Sequence, residues 1–257
     1  MKAFSFSKGD TAIITAAIHE GHVIREELLP FLALEEHERS REEDPYTDYL
    51  SEVSTSRVIV NVSRFETDVN RPRHKAVYQR PEDAWGMQIW KKELPVKLLE
   101  RSMETYDAFY RGMRRLLRHM IDRFGYFAVL DLHTYNHLRE GAPANPAENP
   151  EINIGTAHNR PQWTPLMRHF INTLSGAKIN GRTPDVRENI KFKGGEFSQW
   201  IIRHYGAWGF VLSVEFKKVF MDELTGIVDI YHLRDIRRAL RFTMEELAEQ
   251  LSLNRTA

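Results

Sequence analysis

The chain has 257 residues, 42% hydrophobic and 28% charged, an ordinary globular balance with length enough to bury a core. Lys+Arg and Asp+Glu both number 36, so the formal net charge is zero and no long-range field draws the chain to nucleic acid or to an anionic membrane. There is no cysteine, which excludes disulfides, thiolate nucleophiles and thiolate metal ligands. The first residues, MKAFSFSKGD, lack the apolar core of a signal peptide, and no stretch approaches the roughly 20 apolar residues of a spanning helix. The expected location is the cytoplasm, and the expected organisation is one domain over 1–257.

Four nearly continuous apolar runs read as strands buried on both faces: 11–18 (TAIITAAI), 57–62 (RVIVNV), 126–132 (YFAVLDL) and 210–216 (FVLSVEF). Residues 95–124 carry Leu99, Met103, Tyr106, Tyr110, Met113, Leu117, Met120 and Phe124 at alternating spacings of four and three, one face of a helix, with Gly125 as its stop. Further amphipathic helices are expected over 163–174, 197–205 and 233–251. Strands alternating with helices predict an α/β fold: a central mixed, mostly parallel sheet flanked by helices on both faces. The stretches 35–49, 71–93 and 138–162 are long, polar and punctuated by proline, and are expected to wall an active site.

Each expected strand ends in groups of catalytic type. His19-Glu20-Gly21-His22 follows the first, Ser63-Arg64-Phe65-Glu66-Thr67-Asp68 and Asn70-Arg71 the second, and Asp131-Leu132-His133 closes the third. Ligand sites of open α/β sheets lie at such strand ends. Two histidines three residues apart can face one ion in a helical turn, although a solvated loop also explains an isolated HxxH. Asp131 points the same way as His133 on a strand and is placed to hold that imidazole. Glu215 sits inside an apolar strand, where a carboxylate either pairs with a cation, Lys217 being one choice, or serves as an acid/base. Arg71 after Asn70 offers a fork for a carboxylate. Gly194 and Gly195 permit close backbone approach to a ligand but lack the spacing of a phosphate loop.

Together these segments resemble the N-formylglutamate amidohydrolases, a branch of the zinc-carboxypeptidase-like hydrolases. The resemblance is carried by Ile18-His19-Glu20-Gly21, Thr47-Asp48, Ser63-Arg64-Phe65 leading to Asp68-Val69-Asn70-Arg71-Pro72, Asp131-Leu132-His133-Thr134, Ile152-Asn153-Ile154-Gly155-Thr156, Lys193-Gly194-Gly195, and Val214-Glu215-Phe216 leading to Met221-Asp222-Glu223. It implies a zinc site with His19 as first and His133 as last ligand, His22 or, second in rank, Asp48 between them, and Glu215 as catalytic carboxylate. It also implies that Asn70 and Arg71 grip a substrate carboxylate, with Arg64 beside the developing oxyanion. Glu20 stands where the family usually has a small residue, which bears on the substrate. The expected activity is cleavage of the amide of a small N-acyl amino acid, N-formyl-L-glutamate first. The rival readings are a carboxypeptidase-like hydrolase of a peptide or cell-wall fragment and an inactive carboxylate-binding protein. Zinc is the expected ion, with other divalent ions acceptable to His and carboxylate ligands. The expected partner is a small molecule bearing a carboxylate.

Overall fold

The computed structural model describes residues 2–139, 142–143 and 145–253. Seven strands form one mixed sheet: β1 (Phe4–Ser7), β2 (Ile13–Ala17), β3 (Ser56–Val60), β4 (Phe127–Tyr135), β7 (Ile152–Gly155), β8 (Val186–Glu188) and β9 (Gly209–Lys217), in the order β1-β3-β2-β4-β9-β7-β8. The pairs β3–β2, β2–β4, β4–β9 and β7–β8 are parallel, whereas β1–β3 and β9–β7 are antiparallel. A separate two-stranded ladder joins β5 (Leu138–Arg139) to β6 (Ala142–Pro143). The α/β architecture with a mostly parallel central sheet is thus as the apolar runs predict.

Helices cover both faces. Along β4, Ala128, Leu130 and Leu132 face a core built with α4 (Thr164–Gly176) and α6 (Ile230–Leu253). Phe127 and Val129 face the opposite core, built with α3 (Val96–Phe124) and α5 (Glu196–Tyr205). This is the period-2 alternation of a strand with two covered faces. The apolar stripe of α3 enters that second core through Tyr106, Tyr110, Met113, Leu117 and Met120, and the helix ends where Gly125 takes the left-handed conformation at φ 82°. A third cluster, including Leu28, Phe65, Tyr78 and Trp90, packs the irregular segments beside the sheet.

Two short helices, α1 (Glu36–Glu42) and α2 (Thr47–Ser51), occupy the stretch expected to be polar loop. Among the described residues no helix is long and apolar enough to cross a membrane. Beyond Val129 on β4 the character of the α3/α5 face changes: continuing the register of Phe127 and Val129, the next residues are Asp131, His133 and Tyr135. On β9 the same face runs from Val211 to Ser213 and Glu215. The sheet therefore carries its apolar core along most of its length and presents polar chemistry at the strand ends.

Candidate metal centre and active site

The parallel pairing of β4 with β9 sets His133 directly beside Glu215 and Asp131 beside Ser213. His19 stands two residues beyond the end of β2, on the other side of β4. These groups open into a cavity of about 720 Å³ that His19, Asp44, Arg64, Asn70, Arg71, His133 and Glu215 all help to line. Six of the eight residues singled out from sequence are thus brought together.

His22 and Asp48 are not. The His-x-x-His spacing works in a helical turn, but the chain after His19 forms no helical turn and joins the sheet through a Val23–Val62 bridge, and the two imidazoles take different partners. Gly21 lies against the backbone of Asn61, where a Cβ would come within 2.3 Å. His22 pairs instead through Nδ1 with Glu43 and through Nε2 with Arg39 at 3.1 Å. Asp48 is exposed in α2, where its Oδ1 accepts from the Tyr49 N–H at 2.5 Å. The expected place of either residue between His19 and His133 is corrected by the geometry: the carboxylate found there is that of Asp44. Its backbone N–H donates to the carbonyl of His19 at 3.0 Å, which seats the segment after α1 against the end of β2.

One ligand-type atom each from His19, Asp44 and His133 lies within 4.8 Å of the other two, and all three residues are buried. Both imidazoles turn Nδ1 toward the same oxygen, Asp44 Oδ2, at 3.4 Å from His19 and 2.7 Å from His133. The far nitrogen of each ring lies near a second buried carboxylate: His19 Nε2 hydrogen-bonds Asp68 Oδ1 at 2.8 Å, whereas His133 Nε2 lies 3.0 Å from Asp131 Oδ1 as an ion-pair contact without hydrogen-bond geometry. An imidazole ligand is commonly held as His19 is, by a carboxylate on the nitrogen that does not face the ion. Two nitrogens and one oxygen converging in a buried pocket fit a zinc-type ion with a position left open.

The electrostatics agree with that fit. Burial alone would lower the proton affinity of His133, but the carboxylates of Asp131 and Glu215 outweigh it and hold the ring well above the ordinary histidine range. Burial would raise Asp44, yet the hydrogen bonds of His133 and His19 hold its carboxyl far below the ordinary range. The centre therefore favours positive charge at its middle. Glu215 is pushed up to about 7, chiefly by burial, opposed by His133 and assisted by the negative charges of Asp44 and Asp131. Lys217, a conceivable partner for Glu215 from sequence, donates instead to the carbonyl of Asn149 at 2.9 Å.

Asp68 organises one wall. Its Oδ1 accepts from the Asn70 N–H at 2.8 Å as well as facing His19, and its Oδ2 accepts from Arg64 Nη2 at 3.0 Å and from the Tyr78 hydroxyl. Arg64 is pinned further by donation to the Glu42 carbonyl at 3.2 Å and lies 4.9 Å below the Trp85 ring. Arg71 is held more loosely: its side chain is 39% exposed, with Nε 3.9 Å from Asp68 Oδ2 and the guanidinium 5.7 Å from the Tyr78 ring centre. Asn70 Oδ1 accepts from the N–H of Phe197 at 3.0 Å, fastening the first turn of α5 to the site. Asp131 Oδ2 is approached by Ser198 and Ser213 at 3.4 and 3.3 Å.

Gly194 and Gly195, expected to approach a ligand, both line the cavity, and close packing against the protein itself also calls for glycine there. A Cβ on Gly195 would fall 2.3 Å from Asn70 Oδ1, and one on Gly155 would fall 2.8 Å from the Gly194 nitrogen. Buried Asn153 anchors the same loop, its Oδ1 accepting from the N–H of Ile190 at 3.1 Å and of Lys191 at 2.9 Å. Of the stretches expected to wall the site, 35–49 contributes Glu42 and Asp44, and 71–93 contributes Arg71, Pro72 and Trp85. Among the described residues 138–162 contributes none, and the loop from Lys191 to Gly195, with Glu196 and Gln199 at the start of α5, lines the cavity instead. Asp44, Lys191 and Lys218 are lining residues that sequence reasoning missed. The only signal for Asp44 was its place in the acidic run Glu42-Glu43-Asp44.

Known structures share this framework. An N-formylglutamate amidohydrolase from Ralstonia eutropha JMP134 superposes with a TM-score of 0.76 over 99% of this chain and 100% of that chain, at 15% identity. A gene product of Agrobacterium tumefaciens superposes with a TM-score of 0.68 over 99% of this chain and 97% of that chain, at 16% identity. At such identities the likeness is one of fold. No curated protein matches in sequence. The family model for N-formylglutamate amidohydrolase matches residues 11–220, which is most of the chain and includes every group described above, and the chain belongs to that family.

Proposed function

We propose that the chain is a divalent-metal amidohydrolase that cleaves the amide of a small N-acyl amino acid, N-formyl-L-glutamate foremost, to formate and glutamate. The observation that carries the reading is the convergence of His19, Asp44 and His133 within 4.8 Å, with Glu215 in register beside His133. A zinc-type ion bound by those three side chains would supply electrophilic polarisation of the amide carbonyl and acidify a water molecule. Cobalt, manganese or iron would also suit this donor set.

The chain's own residues do the rest. Glu215, raised to about 7 by burial, is matched to proton transfer near neutrality. It accepts the proton lost by water as the water oxygen adds to the carbonyl carbon, then passes it to the amine nitrogen as the C–N bond breaks. Arg64, immobilised by Asp68 and the Glu42 carbonyl, presents fixed positive charge to the developing oxyanion. Arg71 has the freedom to meet a substrate carboxylate, and Asn70 offers Nδ2, which has no protein partner among the described residues. Their contribution is orientation.

The size and open mouth of the cavity, about 720 Å³, favour a second reading in which a longer acyl group or a short peptide is taken. One assay separates the two. Glu215→Gln should lower kcat on N-formyl-L-glutamate by about 10²- to 10⁴-fold and leave the metal content unchanged. Full activity in that variant would remove Glu215 from the proton transfers. A higher kcat/KM on C-terminal dipeptides than on N-formyl-L-glutamate would move the substrate to the second reading.

A further inference from the structure

The segment that delivers Asp44 is suspended from the site's own side chains. Between the end of α1 at Glu42 and the start of α2 at Thr47 the chain turns through a left-handed Tyr46 at φ 69°. Three successive carbonyls ahead of Asp44 are each taken by a side chain: Arg41 by Asn136 Nδ2 at 2.9 Å, Glu42 by Arg64 Nη1 at 3.2 Å, and Glu43 by Lys218 Nζ at 2.9 Å. Lys218 Nζ also donates to the Arg41 carbonyl at 2.6 Å, so one ammonium bridges two carbonyls of the same turn. Lys218 is 1% exposed, and its backbone N–H donates to the Tyr135 carbonyl at 3.0 Å, tying the exit of β9 to the exit of β4. An ammonium so deeply buried is costly unless it is hydrogen-bonded and has charge to face. Burial lowers its pKa to about 8 against the opposing pull of Asp44, Glu42 and Glu223.

We propose that Lys218 is a positioning residue for Asp44: by clamping the carbonyls of Arg41 and Glu43 it fixes the turn that brings the Asp44 carboxylate between His19 and His133. The inference rests on the reading of those three residues as a metal site. Lysine suits the task because its ammonium carries three donors on a flexible stem. Methionine is a volume match that keeps the stem and removes the donors.

The test uses the full chain with cobalt(II) as the probe. Affinity is measured by competition with a chromophoric chelator, coordination by the visible spectrum, and fold by near-ultraviolet circular dichroism. K218M should keep the wild-type dichroism, bind cobalt at least about tenfold more weakly and show an altered visible spectrum, because the carboxylate is no longer held in place. K218R should recover part of the affinity. A K218M protein with wild-type cobalt affinity and spectrum would overturn the positioning role and leave the metal site standing. Wild type and variant both failing to bind cobalt would overturn the metal reading and this inference with it. Should K218M not fold, K218Q, which retains a single amide donor in place of the ammonium, faces the same outcomes.

Discussion

At the scale of single residues, the polar groups at the strand ends were legible because their settings were unusual. Glu215 interrupts an apolar strand, and His133 follows Asp131 at a strand's end. Asp44 was not legible. Nothing local tells which of Glu42, Glu43 and Asp44 faces His19. The choice is made by tertiary contacts, the Asp44 N–H on the His19 carbonyl and the clamp of Lys218 on the Glu43 carbonyl. His22 misled because its spacing assumes a helical turn where the chain forms none. Lys218 makes a prediction of its own. Its folded-state pKa is lowered from 10.5 to about 8 by burial. Below pH 8 the ammonium is charged in both folded and unfolded chains, and its burial cost is fully present. Between about 8 and 10.5 the folded chain gives up this proton first, so the Lys218 contribution to stability rises with pH by roughly 3 kcal/mol. Denaturant unfolding of wild type and K218M at both ends of that range should show the wild type gaining on the variant as pH rises. A constant difference between them would contradict the buried, proton-releasing lysine.

At the scale of elements, the long segments were legible and the short ones were not. The four apolar runs became β2, β3, β4 and β9, and the four amphipathic stretches became α3 to α6. β1, β7 and β8 have only 4, 4 and 3 residues, too few for a periodicity to declare itself, and their strand character comes from pairing with the sheet. The polar stretch expected as loop hides α1 and α2. There Glu20, distinctive in this sequence, accepts from the Thr47 hydroxyl at 3.0 Å and the Asp48 N–H at 3.2 Å and so anchors the first turn of α2. The junction of α5 with the site is tight enough to test. Gly195 has no room for a methyl group beside Asn70, so Gly195→Ala should push the Asn70 amide from its place. The expected outcome is a KM for N-formyl-L-glutamate raised about tenfold, a loss of roughly 1.4 kcal/mol in binding, with metal content unchanged. An unaltered KM would detach Asn70 from substrate orientation.

At the scale of the whole molecule, the site exists only because distant segments meet. His19 follows β2, Asp44 leads toward α2, Asp68 lies beyond β3, His133 closes β4 and Glu215 closes β9. The fold class was legible because the strand runs are apolar on both faces, which requires helices on both sides of the sheet. The absence of cysteine narrowed the metal chemistry to histidine and carboxylate ligands. The central claim is that His19, Asp44 and His133, and not His22, compose the centre. Elemental mass spectrometry of purified wild type, Asp44→Ala and His22→Ala tests it most directly. The account predicts about one divalent zinc-type ion per chain in wild type and in His22→Ala, and its loss in Asp44→Ala. An ion retained by Asp44→Ala and lost from His22→Ala, or no ion in the wild type even after reconstitution, would contradict it.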